Sequence, residues 1–328
     1  MADNFDVTAK IHNFAVVHPN AKIGKNVEIG PFTVIGENVE IDEGTIVGPS
    51  VVITGWTKIG KDCHIFQGAS IGEEPQDLKF AGEKSYTVIG NRTKIHEFCT
   101  IHRATGEGEV TKIGDDCLLM AYVHVAHNCI LGNNVIMANA AMVAGHVVVE
   151  DRAIIGGKAG VHQFVRVGKQ SMISGMSRNI HDVVPYTIVD GFPARACGLN
   201  SVGIARAGIA PANRRQIKLA YRLLYRSGLR LKDAISAIEQ EVESCPEVEH
   251  MLQFLRNADR GICRPAGHVG DKKQEDKSCI RPRLEESEDC HFFQSTTQSI
   301  ILRLLSETLD IRYMHFPIAE WIVPVVSE

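Results

Sequence analysis

The chain has 328 residues, 44% of them hydrophobic and 23% charged, and a formal net charge of −4, which suits a globular protein with a sizeable core and gives no reason to expect nucleic acid as a partner. The opening MADNFDVTAKIHNF has no apolar run and no later stretch reaches membrane-spanning length, so no integral span and a cytoplasmic location are expected. The nine cysteines then stay reduced, and none forms a CxxC pair that would suggest a zinc ribbon or redox motif.

From Ile11 onward an aliphatic residue recurs every six positions, through Val17, Ile23, Ile29, Ile35 and Ile41 to Ile71. The series resumes in phase at Ile89, Ile95 and Ile101, and again from Ile113 to Ile173. Four residues after each aliphatic stands a small or β-branched residue, as at Ala21, Val27, Thr33, Val39 and Thr45. A hexapeptide of this kind makes one short strand and one turn, with two inward residues of unequal size. Three hexapeptides close an 18-residue triangular coil, and coils stack at ~4.8 Å. One coil buries three large aliphatics, roughly 5–9 kcal/mol, against on the order of 18–36 kcal/mol of backbone entropy. A coil alone is therefore unstable, and stacking is obligatory. Cys63, Cys99, Cys117 and Cys129 fall in the small inward column and read as core residues rather than nucleophiles.

Two stretches interrupt the repeat, at 73–88 and 103–112, and both restore its phase, as loops thrown out from an intact solenoid would. Such loops are favoured places for substrate contacts. Beyond Ile173 the pattern decays and helical signals begin: Pro211 ahead of ANRRQIKLAYRLLYRSG, then LKDAISAIEQEVES and PEVEHMLQFLRNA. Arg214, Lys218, Arg222 and Arg226 lie at i, i+4 spacing on one face of the first helix. This face is either simply solvated or a dock for an acidic protein or a phosphate-bearing group. The domains expected are a solenoid over 8–198, a helical domain over 199–264, and a linker and tail of unknown role over 265–328.

The repeat resembles that of the left-handed parallel β-helix family. The fold class so implied is an all-β left-handed parallel β-helix, a triangular prism of hexapeptide repeats, followed by a small α-helical C-terminal region. On an 18-residue coil, His127 stacks near His146 and His162, each displaced by one residue, and His124 lies three positions before His127. None of the four occupies an inward column, so they cluster along one outer edge of the prism. Two chemistries suit such a cluster. One is a general base with supporting donors; the other is a zinc site, because γ-class carbonic anhydrases place three zinc-binding histidines on this fold.

The segments MAYVHVAHNCILGNNVIMANAAMVAGHV and IIGGKAGVHQFVRVG, with IGEEPQDLKFAGE in the first loop and TIHRATGEG at the second, resemble the UDP-N-acetylglucosamine acyltransferases across roughly residues 8–264. The resemblance implies transfer of an (R)-3-hydroxyacyl chain from acyl carrier protein to the 3-hydroxyl of UDP-N-acetylglucosamine, at the start of lipid A synthesis. It assigns His127 as general base and the Gly145 N–H as oxyanion donor. His124, His146, His162 and Gln163 would line the cleft, with Gln76, Asp77 and Lys79 reaching it from the first loop. Asn200 and Arg206 would lie near the nucleotide, and Gly175 would floor the acyl pocket. The donor thioester is already activated, so neither cofactor nor metal is implied. A homotrimer is implied, and the basic helical face gains acyl carrier protein as its partner. Val202, Pro193 and Asn128 depart from residues common in the family, which bears on sugar-nucleotide contacts, acyl length and the tuning of His127. The alternatives are an acyltransferase acting on an amino-sugar nucleotide, a zinc enzyme of the carbonic-anhydrase type, and a non-catalytic scaffold.

Overall fold

The structure is a computed structural model that describes residues 4–258 and 260–265. Apart from Pro265, the expected linker and tail lie outside the described residues. The hexapeptides fold into strands mostly two residues long, the first outward and the second buried, as in Lys22–Ile23 and Val34–Ile35. These strands stack in parallel into sheets of eleven, nine and eight strands, the three faces of a triangular prism. In the regular coils, register partners are 18 residues apart, as Ile11 with Ile29 and Lys22 with Glu40. The coil length read from the spacing is thus the pairing distance in the sheets.

Between strands the chain turns a corner through a residue with positive φ, again on the six-residue period, as at Asn26, Asp62, Asn128 and Asn134. Asn and Asp adopt this left-handed conformation at low cost. The glycine that often follows the aliphatic residue has a different reason: a Cβ on Gly114 would lie 2.5 Å from the carbonyl oxygen of Gly132 in the next coil. Inward threonines bond corner carbonyls, Thr33 to Gly48 and Thr45 to Gly60, both at 2.7 Å. Cys117 and Cys129 are fully inward, and burial pushes their thiols up to about 11 and about 12. They are packing residues, as their column implied.

The two excursions are shorter than the sequence pattern indicated. Strands Tyr86–Ile89 and Val110–Ile113 absorb the ends of both stretches, because Tyr86–Ile89 pairs over four residues with Val110–Ile113 on one side and with Trp56–Ile59 on the other. Across the first excursion Ser70 pairs with Thr100, 30 residues away instead of 18. Across the second Thr100 pairs with His124, 24 residues away. Arg103 ties the two loops together, donating to Gly72 O and to Glu74 at 3.2 Å each and lying over the Phe80 ring.

After the last coil, strands Thr187–Gly191 and Ala194–Leu199 form an antiparallel hairpin. Among the described residues four helices follow: α1 Ser201–Arg206, α2 Pro211–Arg226, α3 Leu231–Glu241 and α4 Pro246–Arg256. Helix α2 begins with Pro211 and stops before Gly228 at φ +75°, where the sequence signals place its ends. Its apolar face packs Ile217, Tyr221, Leu224 and Tyr225 against α3 and α4. The chain then returns to the prism: Cys263 is buried in the solenoid core, and its N–H donates to Asp182 O at 2.9 Å. Asp182 accepts from the Arg166 backbone at 2.8 Å and from its guanidinium at 3.0 Å, while Arg166 donates to Phe254 O of α4. Solenoid and helices are thereby clamped into one unit.

Candidate active site

The nine-stranded face carries a groove of about 450 Å³. The strands beneath it are Thr100–His102, His124–Val125, Met142–Val143, Gly160–Val161 and Arg178–Asn179. Their inward residues belong to the core, and their outward residues, with the first corner positions, line the groove. Of the residues expected at the site, Gln76, His124, His127, Gly145 and His162 all line it.

His127 sits at the corner after Val125 and is only 8% exposed. Its Nδ1 lies 2.9 Å from Asn128 Oδ1. That oxygen also accepts the Thr105 N–H at 2.9 Å, and the Asn128 amide nitrogen donates to Thr105 O at 3.0 Å. The amide therefore cannot flip without setting donor against donor. An acceptor facing Nδ1 requires the ring proton there, which leaves the Nε2 lone pair for the groove. Asp77 Oδ2 approaches Nε2 at 3.9 Å. The N–H of Lys79, and then the neighbouring His127, hold the Asp77 carboxyl below the usual carboxylate range.

Gly145 stands one coil above His127, and a Cβ there would lie 2.5 Å from Nε2. Only glycine lets this backbone approach the imidazole so closely. Among the described residues the Gly145 N–H has no intramolecular acceptor. His146 takes the next corner at φ +60°, with its ring edge-on to His127 at 5.2 Å and stacked on Phe164 at 4.8 Å.

His124 bonds Thr100 Oγ1 at 2.7 Å, and burial, then the nearby His102 and His127, push it down to about 4. His102 bonds Glu74 O at 2.7 Å and is likewise lowered by burial. Both rings are therefore neutral hydrogen-bonding groups near pH 7.

His102 lines the groove although the histidine spacing did not single it out. It occupies the same outward column as His162, but the second excursion lengthens the step to the next coil and hides that alignment. Arg178 and Met142 also line the groove; they share the outward column of His124, one position before the inward residue, which is Val143 after Met142 and Asn179 after Arg178.

The remaining expected residues lie elsewhere within this chain. The Lys79 side chain is exposed, and Gln163 offers His162 its carbonyl at 3.2 Å. Gly175 sits at the next corner, where a Cβ would lie 3.2 Å from Gly157 O. Asn200, expected near the nucleotide, is buried as the N-cap of α1: it accepts the Gly203 N–H at 3.0 Å and donates to Gln170 O at 2.9 Å. Arg206 is exposed in the last turn of α1. Among the described residues no three His, Cys, Asp or Glu side chains are grouped to hold one metal ion, which is what the zinc alternative requires.

Residues 111–145 match the bacterial transferase hexapeptide (six repeats), residues 11–106 the GMPPB C-terminal domain, and residues 182–263 the second domain of Udp N-acetylglucosamine O-acyltransferase. The acyl-(acyl-carrier-protein)–UDP-N-acetylglucosamine O-acyltransferase of Paracidovorax citrulli is 51% identical over 261 residues, covering 78% of this chain and 100% of the relative. The Myxococcus xanthus protein of the same name is 48% identical over 257 residues, with the same coverage. The solved UDP-N-acetylglucosamine acyltransferase of Bacteroides fragilis superposes with a TM-score of 0.75 at 42% identity, over 77% of this chain and 99% of that one. The corresponding Acinetobacter baumannii structure gives 0.74 at 41% identity, with the same coverage. With sequence, fold and C-terminal helices agreeing over the full length of these relatives, the chain belongs to the UDP-N-acetylglucosamine O-acyltransferase family of left-handed parallel β-helices.

Proposed function

We propose that this protein moves an (R)-3-hydroxyacyl chain from acyl carrier protein to the 3-hydroxyl of UDP-N-acetylglucosamine, the first step of lipid A synthesis, in the cytoplasm. The observation that carries the reading is the clamped imidazole: His127 Nδ1 is held by Asn128, Nε2 faces the groove, and the Gly145 backbone lies beside it. Nε2 accepts the sugar hydroxyl proton as that oxygen attacks the thioester carbonyl. The oxyanion formed is stabilised by the Gly145 N–H, a contribution worth ~10²–10³ in comparable sites. When the tetrahedral intermediate collapses, the carbon–sulfur bond breaks and the imidazolium returns its proton to the departing thiolate. The thioester is already activated, so neither cofactor nor metal is assigned a role. Gln76, Asp77 and the neutral His102 and His124 supply hydrogen-bonding groups for a sugar.

Arg215, Lys218, Arg222 and Arg226 are exposed along α2, and this basic face suits acyl carrier protein, an acidic partner. One corner of the prism presents Phe14, Phe32, Phe98, Tyr122 and Met176 in a single row, all at least half exposed, with Phe98 stacked on Tyr122 at 5.3 Å. Such a row supports association of prisms side by side. In a homotrimer, Gly175, Asn200 and Arg206 would meet substrate from a neighbouring copy.

The test is acyl transfer by purified protein, with and without chelator, for wild type and His127→Ala. The expected result is chelator-resistant O-acylation of UDP-N-acetylglucosamine that collapses in the variant. Transfer abolished by chelator and restored by zinc, or none to this acceptor with any donor, would overturn the reading.

A further inference from the structure

The first excursion brings two side chains to the groove: Gln76 lines it, and Asp77 Oδ2 lies 3.9 Å from His127 Nε2. Pro75 is buried and Glu74 O meets His102 Nδ1 at 2.7 Å, but Gln76, Leu78 and Lys79 are exposed. A segment with so few buried contacts opens readily unless something fixes it. Arg103 fixes it on both sides of Gln76 and Asp77. Ahead of them, one guanidinium nitrogen donates to Gly72 O and the other to Glu74 Oε1, each at 3.2 Å, and the Arg103 N–H donates to Glu73 O at 3.0 Å. Beyond them, the guanidinium carbon lies 5.1 Å from the centroid of the Phe80 ring. Asp77 accepts the Lys79 N–H through its carboxylate at 3.1 Å and the Phe80 N–H through its carbonyl at 3.0 Å. This turn carries the position of Phe80 to Asp77. Arg103 is itself buried, and it stands two residues before Thr105, whose backbone fixes the Asn128 amide. The segment that holds Gln76 and Asp77 is therefore also the one that clamps His127.

We propose that Arg103 is a positioning residue for the sugar-nucleotide acceptor, holding Gln76 and Asp77 in place over the groove; this rests on the acyl-transfer reading above. Arg103 acts through those two side chains and does not itself meet the acceptor. Its planar fork gives separate donors to two acceptors, Gly72 O and Glu74, while its face takes the Phe80 ring. A lysine keeps the charge but has a single nitrogen and no planar face, so it satisfies only part of this set. With the fork lost, the turn at Asp77 is free to drift. The carboxylate and the Gln76 amide then no longer stand where a sugar hydroxyl would meet them, and the acceptor binds more weakly.

The experiment measures kcat and the KM for UDP-N-acetylglucosamine in wild type, Arg103→Lys, Phe80→Leu and a Gln76→Ala, Asp77→Ala variant, the last also combined with Arg103→Lys. Arg103→Lys is expected to raise this KM about tenfold, the worth of one or two hydrogen bonds to substrate, with the KM for acyl carrier protein unmoved. Phe80→Leu is expected to act the same way by less, and it carries the test should the lysine variant not fold. In the Gln76→Ala, Asp77→Ala background the lysine change is expected to add less than about twofold, because the groups it acts through are gone. Amide hydrogen exchange is expected to quicken at residues 76–80 in Arg103→Lys and not in the coils beyond residue 113. A KM raised by the same factor in both backgrounds overturns the assignment. So does a lowered melting point with the KM and the exchange at residues 76–80 unmoved, which would leave Arg103 a structural residue only. Wild-type protein inactive with every donor is a separate outcome that overturns the acyl-transfer reading and, with it, the acceptor role; exchange at residues 76–80 then still shows whether Arg103 holds that segment.

Discussion

Nδ1 of His127 lies 2.9 Å from Oδ1 of Asn128, its immediate neighbour in the chain, and that amide is fixed at both ends by the backbone of Thr105. The imidazole proposed as the base is therefore oriented by a neutral group, and the second excursion, through Thr105, helps to orient it. His127→Ala is expected to lower kcat by ~10²–10⁴ with little change in KM. Asn128→Asp would set a carboxylate oxygen against Thr105 O while offering Nδ1 an anionic acceptor. It is expected to move the acid limb of the pH–rate profile to higher pH, because an anion favours the imidazolium. An acid limb that stays in place would remove Asn128 from this role.

Gly145→Ala places a methyl group within 2.5 Å of His127 Nε2. Ring or backbone must shift, and displacements near 1 Å at a reacting group cost ~10² in rate. The variant is expected to keep its thermal midpoint within a few degrees while losing at least that factor in kcat. Single-turnover assays beside a melting curve separate the two effects.

His124 and His102 carry folded-state pKa values pushed down by burial, His124 to about 4. The unfolded chain binds their protons first as pH falls below about 6.5. Stability is then unaffected by these groups above that pH and declines from about 6.5 down through about 4. Urea denaturation across this range is expected to show the decline, and His124→Asn a shallower one. Equal slopes in both proteins would show that other groups dominate.

Asp182 is 1% exposed and receives both the backbone and the guanidinium of Arg166, which in turn grips α4 through Phe254 O. Removing one member of a buried pair leaves the other charge uncompensated, at a cost of ~3–5 kcal/mol. Asp182→Ala is expected to destabilise the protein by about that amount, read as a lower urea midpoint, and to loosen the helical region first in hydrogen exchange.

Lys218→Glu with Arg222→Glu reverses charge on the exposed side of α2 without touching Ile217 or Leu224 beneath. The KM for acyl carrier protein is expected to rise about tenfold at low salt and less at high salt, with the KM for UDP-N-acetylglucosamine unmoved. Light scattering is expected to give three copies of the 36.0 kDa chain, and Phe98→Glu with Tyr122→Glu to reduce the mass.

The prism was legible in the chain because inward and outward positions recur on a period that neither composition nor loops disturb. Ile23, Ile41 and Ile59 report their own burial by spacing alone, and Cys117 and Cys129 reveal themselves as core by the column they share with Val123 and Val135. The same period placed His124, His127, His146 and His162 on one edge, because all four lie in the uninterrupted run from Ile113 to Ile173. His102 escaped it, since the second excursion changes the distance to its partner coil and a spacing argument fails once the step is unknown. Asn200 shows the opposite limit: the resemblance implied a place near the nucleotide, while its bonds to the Gly203 N–H and to Gln170 O are legible only in the structure. The amide clamp on His127 and the closeness of Gly145 likewise came only with the tertiary structure. Local periodicity determines which way a side chain points. What it meets depends on loop length, on packing and on hydrogen bonds between residues far apart in the chain, and these are decided only when the coils stack.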